Sequence, residues 1–143
     1  MKYHFKIHKE GKGFWAQCIE LEGCITQAKS RDELDERMQE VLNLYIDEPA
    51  DSKDLAPFPD RSLSHSRNVV EVQVDPSVAF AFIVRYNRIK EGLTQQEAAD
   101  KLGFEHINSY QRLESRKCNP TLRILSLLKK AFPDFSVDFA LNC

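Results

Sequence analysis

Residues 69–74, VVEVQV, alternate apolar and polar side chains just before the pattern of the chain changes. From Ser77 to Phe132 apolar residues recur at helical spacing. A period of two marks a sheet with one face covered, and a period near 3.6 marks helices that bury one stripe. One chain of 143 residues therefore has to fold as a sheet-containing first part and an all-helical second part. The expected class is α+β, with domains over residues 1–76 and 77–143.

The first part opens with MKYHFKIH, which reads as a strand with Tyr3, Phe5 and Ile7 inward and Lys2, His4, Lys6 and His8 towards solvent. Gly11 and Gly13 supply a hairpin turn, FWAQCIE is a second strand, and Glu22-Gly23 turns the chain into a short third strand, CITQAK. Ser30 and Glu33 have the spacing of a capping box. The helix they start presents Leu34, Met38, Val41, Leu42 and Tyr45 on one face and ends at Pro49. Residues 49–67 are a loop rich in Pro, Asp and Ser, after which VVEVQV returns to the sheet as a fourth strand.

The second part contains four helical stretches. AFAFIVRYNRIKEG closes at Gly92, and LTQQEAADKLG carries a capping box at Thr94 and Glu97. HINSYQRLE follows, and then TLRILSLLKKAF with Leu122, Leu125 and Leu128 at core spacing. Phe135, Val137 and Phe139 form an apolar tail that packs back or meets a second subunit.

Charge divides along the same line. Residues 1–76 carry 10 Lys and Arg against 15 Asp and Glu, a net −5, and residues 77–143 carry 10 against 7, a net +3. This split suits an acidic protein-binding half and a basic half that meets phosphate. The four cysteines, Cys18, Cys24, Cys118 and Cys143, have no metal-site spacing, and the expectation is packed, reduced thiols with no metal and no cofactor. With no bilayer-length apolar run and no signal-peptide core at the N-terminus, a cytoplasmic protein is expected.

The segment LTQQEAADKLGFEHINSYQRLESRKCNPTLRIL resembles the helix-turn-helix of lambda-repressor/Cro-like DNA-binding domains. Leu93, Thr94, Gln95, Ala99, Leu102, Gly103, Leu113, Glu114, Lys117, Asn119 and Pro120 match that pattern. The stretch between Gly103 and Leu113 is one residue longer than usual, and Ser115-Arg116 stands where a turn glycine is common. The resemblance implies that HINSYQRLE enters the major groove. There His106, Asn108, Ser109, Gln111 and Arg112 would face base edges, since Asn, Gln and Arg make paired hydrogen bonds to A or G. Gln95 at a helix start, with Arg116, Lys117 and Asn119, would hold phosphates. Reading a palindromic operator on double-stranded DNA requires a homodimer or a higher even oligomer.

The first part resembles the HicB antitoxins, through Ile19-Glu20-Leu21-Glu22-Gly23-Cys24-Ile25-Thr26-Gln27 and the acidic helix after it, with Ala28 in place of the usual glycine. That resemblance implies a partial RNase H-like fold of antiparallel strands, one helix and a returning strand. It also implies a partner, a HicA-like toxin ribonuclease that is basic and cleaves messenger RNA, and repression of the protein's own operon. The toxin would meet either the sheet edge at Cys24, Ile25, Thr26 and Gln27 or the helix acids Asp32, Glu36 and Glu40. Two-metal nuclease chemistry needs converging carboxylates, and MKYHFKIH contains none, so binding rather than catalysis is expected. The alternatives are a stand-alone repressor with a ligand-sensing or dimerising first domain, and a metal-dependent nuclease.

Overall fold

A computed structural model describes residues 1–49 and 52–141; Cys143 lies outside the described residues. The chain divides into two compact units. Met1–Ile46 and Ala56–Val74 make the first, and Asp47–Leu55 joins the chain from Asp75 onward in the second.

The first unit is a four-stranded antiparallel sheet in the order β3-β2-β1-β4, formed by β1 (Lys2–Glu10), β2 (Gly13–Cys18), β3 (Ile25–Ala28) and β4 (Val69–Gln73). Gly11 turns the β1–β2 hairpin at φ 58°, a left-handed conformation that glycine adopts without steric cost. Register sets Phe5 against Cys18 and Val70, and His8 against Trp15. The single helix α1 (Arg31–Ile46) packs on this sheet. Leu34, Met38, Leu42 and Ile46 bury its inner face together with Tyr3, Phe5, Ala16, Cys18, Leu21 and Cys24. Ile46 takes the core place expected for Tyr45, which is half-buried with its hydroxyl donating to the Glu22 carbonyl at 3.0 Å. The capping box at the α1 start is displaced by one residue. Ser30 Oγ accepts from the Glu33 N–H, but the Glu33 carboxylate reaches the N–H of Lys29.

His4 departs from the expected solvent side and is 4% exposed. It lies on the outer face of β1, as alternation requires, but Glu20 folds over it. The Glu20 carboxylate accepts the His4 backbone N–H at 3.0 Å, stands 2.6 Å from the ring Nδ1, and accepts the Asp60 N–H at 3.3 Å. His8 is half-buried because its ring stacks on Trp15 at 3.9 Å. Cys24 sits in the core, where its thiol and that of Cys18 share a hydrogen bond. That bond and burial push the Cys18 thiol up.

The second unit is built around α2 (Pro76–Lys90), with α3 (Gln95–Leu102), α4 (Ile107–Gln111), α5 (Leu122–Ala131) and a short α6 (Asp138–Leu141). Val78 to Val84 are all buried, so α2 is apolar around its circumference, as a central helix must be. Pro76 starts it, since the first turn needs no N–H from that residue. The boundary between units thus falls at Asp75 rather than after Pro76. The segment from Asp47 to Leu55, placed in the first domain from sequence, belongs to the second unit. Its ties there are the Glu48 carbonyl, which accepts from Arg85, and Asp47, which pairs with Arg116.

In α5 the buried stripe is rotated from the expected one. Leu122 is 84% exposed, while Ile124 and Leu125 are half-buried and Leu128 is fully buried. Leu122 is the first residue after the Thr121 cap and points away from the packed side. Of the tail, Phe135 is buried with its ring edge-on to Phe80 at 6.0 Å, Val137 is half-buried and Phe139 is exposed.

Candidate nucleic-acid interface

α3 and α4 are set at their angle by local sequence. Thr94 accepts the Glu97 N–H and Glu97 accepts the Thr94 N–H, a complete capping box. Gly103 ends α3 in the left-handed region at φ 78°, and its N–H returns to the carbonyls of Ala99 and Asp100. Ala98 and Ala99 are fully buried, which lets the two helices approach closely. The turn spends Phe104, Glu105 and His106 before α4 begins at Ile107, which fixes the register of the recognition helix. That helix is shorter than HINSYQRLE suggests: it tightens into a 3-10 turn at Arg112–Glu114. The tightened turn keeps Tyr110, Leu113 and Glu114 on the buried side.

Glu114 anchors this arrangement. Its side chain is 1% exposed and that of Arg88 is 9% exposed. Arg88 grips the carboxylate with two donors, Nε at 2.6 Å and Nη2 at 3.2 Å, and its third nitrogen donates to the Leu93 carbonyl at 3.0 Å. The Tyr110 hydroxyl donates to the same carboxylate at 2.9 Å and Gln95 Nε2 at 2.8 Å. Burial works against the Arg88 charge, and Glu114 more than offsets it, so the guanidinium pKa lies above its ordinary value. Tyr110 is pushed up as well, first by burial and then by the Glu114 charge. One carboxylate thereby ties α2, the start of α3 and the end of α4 together.

The structure puts every residue of the expected base-reading set, His106, Asn108, Ser109, Gln111 and Arg112, on the surface, opposite Tyr110 and Leu113. Gln111 is not free to turn: its Nε2 donates to Gln95 Oε1 at 3.1 Å. Of the expected phosphate contacts, Lys117 and Asn119 are exposed. Arg116 stands 3.5 Å from Asp47. Gln95 stands at the start of α3, as expected, and its side chain has a further task. Its amide links Gln111 to Glu114, so it positions the recognition helix, and the backbone N–H groups at the α3 start are what remain for a phosphate. Sequence reasoning matched Glu114 to a motif without giving it a partner. Arg88 lies 26 residues away, and its only signal is that it follows an apolar helical run, as one of two arginines three residues apart.

In the sheet unit, Ile25 and Gln27 are exposed on the open β3 edge and Thr26 is half-buried, whereas Cys24 is buried and offers a partner no side chain. Asp32, Glu36 and Glu40 are exposed at four-residue spacing on α1, and Leu44, 64% exposed, continues their stripe. Among the described residues no cluster of His, Cys, Asp and Glu could hold a metal ion, and no helix is long and apolar enough to cross a membrane.

An anchored recognition helix with a polar outer face, set on the end of a capped helix, is the geometry of a DNA-reading module. Residues 84–138 match the helix-turn-helix family, of the lambda repressor/Cro-like kind, so the helical unit is a DNA-binding domain and the chain a transcription regulator. A UPF0150 protein of Archaeoglobus fulgidus is 44% identical to this chain over 48 residues, which cover 33% of this chain and 70% of that protein. The chain belongs to the UPF0150 family.

Proposed function

We propose that the protein is the antitoxin of a HicA/HicB-like toxin–antitoxin pair. In this reading the sheet unit, a partial RNase H-like fold, covers a basic mRNA-cleaving toxin, and the helix-turn-helix unit represses the operon that encodes both. Its work is binding, without catalysis. The observation that carries the reading is the pairing, in one chain, of a DNA-binding helical unit with a sheet unit whose free edge and helix stripe are dressed for a partner. Ile25 is 52% exposed beside open strand hydrogen-bonding groups, and Asp32, Glu36 and Glu40 lie on one exposed acidic stripe. Opposite charge steers a nuclease that must itself be basic to grip RNA.

Co-expression with the product of the neighbouring reading frame, followed by pull-down and a growth assay, tests this. The expected result is a stable complex and relief of growth arrest. No complex and unrelieved arrest would overturn the antitoxin role. Reversing Asp32, Glu36 and Glu40 to Lys in the full chain is expected to slow association at low salt far more than at high salt. An unchanged rate would move the contact to the β3 edge.

A further inference from the structure

The segment from Asp47 to Leu55 is part of the helical unit, and it lies where DNA phosphates are expected. Asp47 Oδ2 stands 3.5 Å from Arg116 Nη1, and Arg116 is one of the expected phosphate contacts. One residue on, the Glu48 carbonyl accepts a hydrogen bond from the buried Arg85 at 3.2 Å, which pins the backbone. Ser52 donates its N–H to the Pro49 carbonyl at 3.0 Å. Ser52 and Lys53 then line one hollow with Thr94, Gln95, Gln96 and Ile107, at the beginnings of α3 and α4. These are the positions a duplex backbone has to reach for α4 to enter the major groove.

The chemistry of the segment matches the place it occupies. DEPADSKDL contains four acids and one lysine, a net −3, and through Asp47 and Glu48 it meets the half of the chain that is otherwise net +3. Asp47 pairs with a cation that a phosphate would otherwise use, and Ser52 and Lys53 border the hollow at the helix start.

We propose that the acidic segment 47–55, held at Asp47 and Glu48 and bordering the α3 start at Ser52 and Lys53, competes with DNA for the phosphate-facing side of the helix-turn-helix. The inference rests on the DNA-binding reading of the helical unit. Because the Asp47–Arg116 pair is about half exposed, its strength is modest and the segment tunes affinity rather than abolishing binding. The opposite role is an arm, in which Lys53 contacts the backbone and adds affinity.

The test is fluorescence anisotropy with the full chain and a labelled mixed-sequence duplex, at low and high salt. The variant Asp47→Asn/Glu48→Gln/Asp54→Asn neutralises the segment. The control Glu10→Gln/Glu22→Gln/Asp35→Asn removes the same charge from the sheet unit. Circular dichroism verifies that both are folded. The expected result is tighter binding by about fivefold or more for the segment variant at low salt, narrowing as salt rises, with the control well below that gain. A segment variant no tighter than the control overturns the proposal, and so does weaker binding by Lys53→Ala, which would make the segment an arm. No binding by any of the proteins would instead overturn the DNA-binding reading, and the competitor with it.

Discussion

Replacing Glu114 by alanine removes the acceptor of four hydrogen bonds at once: two from Arg88, one from Tyr110 and one from Gln95. The guanidinium of Arg88 is left almost fully enclosed with no carboxylate opposite it. Removing one partner of a buried ion pair costs about 3–5 kcal/mol, mainly because the remaining charge is uncompensated. For a helical unit of this size each kcal/mol lowers the midpoint by about 4–8 °C, so a fall of at least about 12 °C is expected. The two units permit separate readouts. The single tryptophan, Trp15, lies in β2 and reports on the sheet unit through its fluorescence, whereas far-ultraviolet circular dichroism is dominated by the helices. The expected pattern is an early loss of most of the helical signal, with the α1 share retained and the fluorescence transition unmoved. The double variant Arg88→Met/Glu114→Leu is expected to cost clearly less than the two single changes added together, because neither charge is then stranded. A loss below about 1 kcal/mol in Glu114→Ala, or strict additivity in the double variant, would refute the claim that this pair holds the helix-turn-helix together.

Three further outcomes follow from the same geometry. Gly103→Ala is expected to destabilise the helical unit by about 1–2 kcal/mol in urea titration through backbone conformation alone, since an added Cβ would meet nothing within 4 Å at φ 78°. In operator binding, Lys117→Ala is expected to weaken all sequences alike and to reduce the salt slope by about one charge, whereas Asn108→Ala and Arg112→Ala relax discrimination at individual base pairs by about 1–3 kcal/mol; identical behaviour of the three would undo that sorting. Tyr3 and Tyr110 are both held protonated, by burial first, with pKa values above the ordinary one. A raised folded-state pKa in an acid that ionises to an anion gives stability that is complete below the unfolded value, about 10, and is lost as pH climbs towards the folded one. Alkaline difference spectroscopy is therefore expected to show Tyr3 and Tyr110 ionising only as the fold gives way.

The sequence by itself determined those features that rest on contacts between near neighbours. The strands of the hairpin, the Thr94–Glu97 box, the left-handed stop at Gly103 and the change from period two to helical period are all written within a few residues of where they act. The exposure of Asn108, Ser109 and Arg112 was legible for the same reason, since a short helix with Tyr110 and Leu113 inward must turn them out. What only the tertiary structure decided involves residues far apart in the chain. His4 alternates to the outer face as its pattern demands, but whether that face is open depended on Glu20 and the loop at Asp60. Gln95 has its helix-start position legible in sequence, but the carboxylate that takes its side-chain amide lies 19 residues away. Leu122 has core spacing, and its exposure follows from the rotation at which α5 packs. Residues 47–55 read as the end of the first helix and the start of a linker, and their place in the helical unit is set by Arg85 and Arg116, 37 and 69 residues further on. Periodicity specifies which face a side chain takes; which partner arrives to cover that face is settled only when distant segments compete for it.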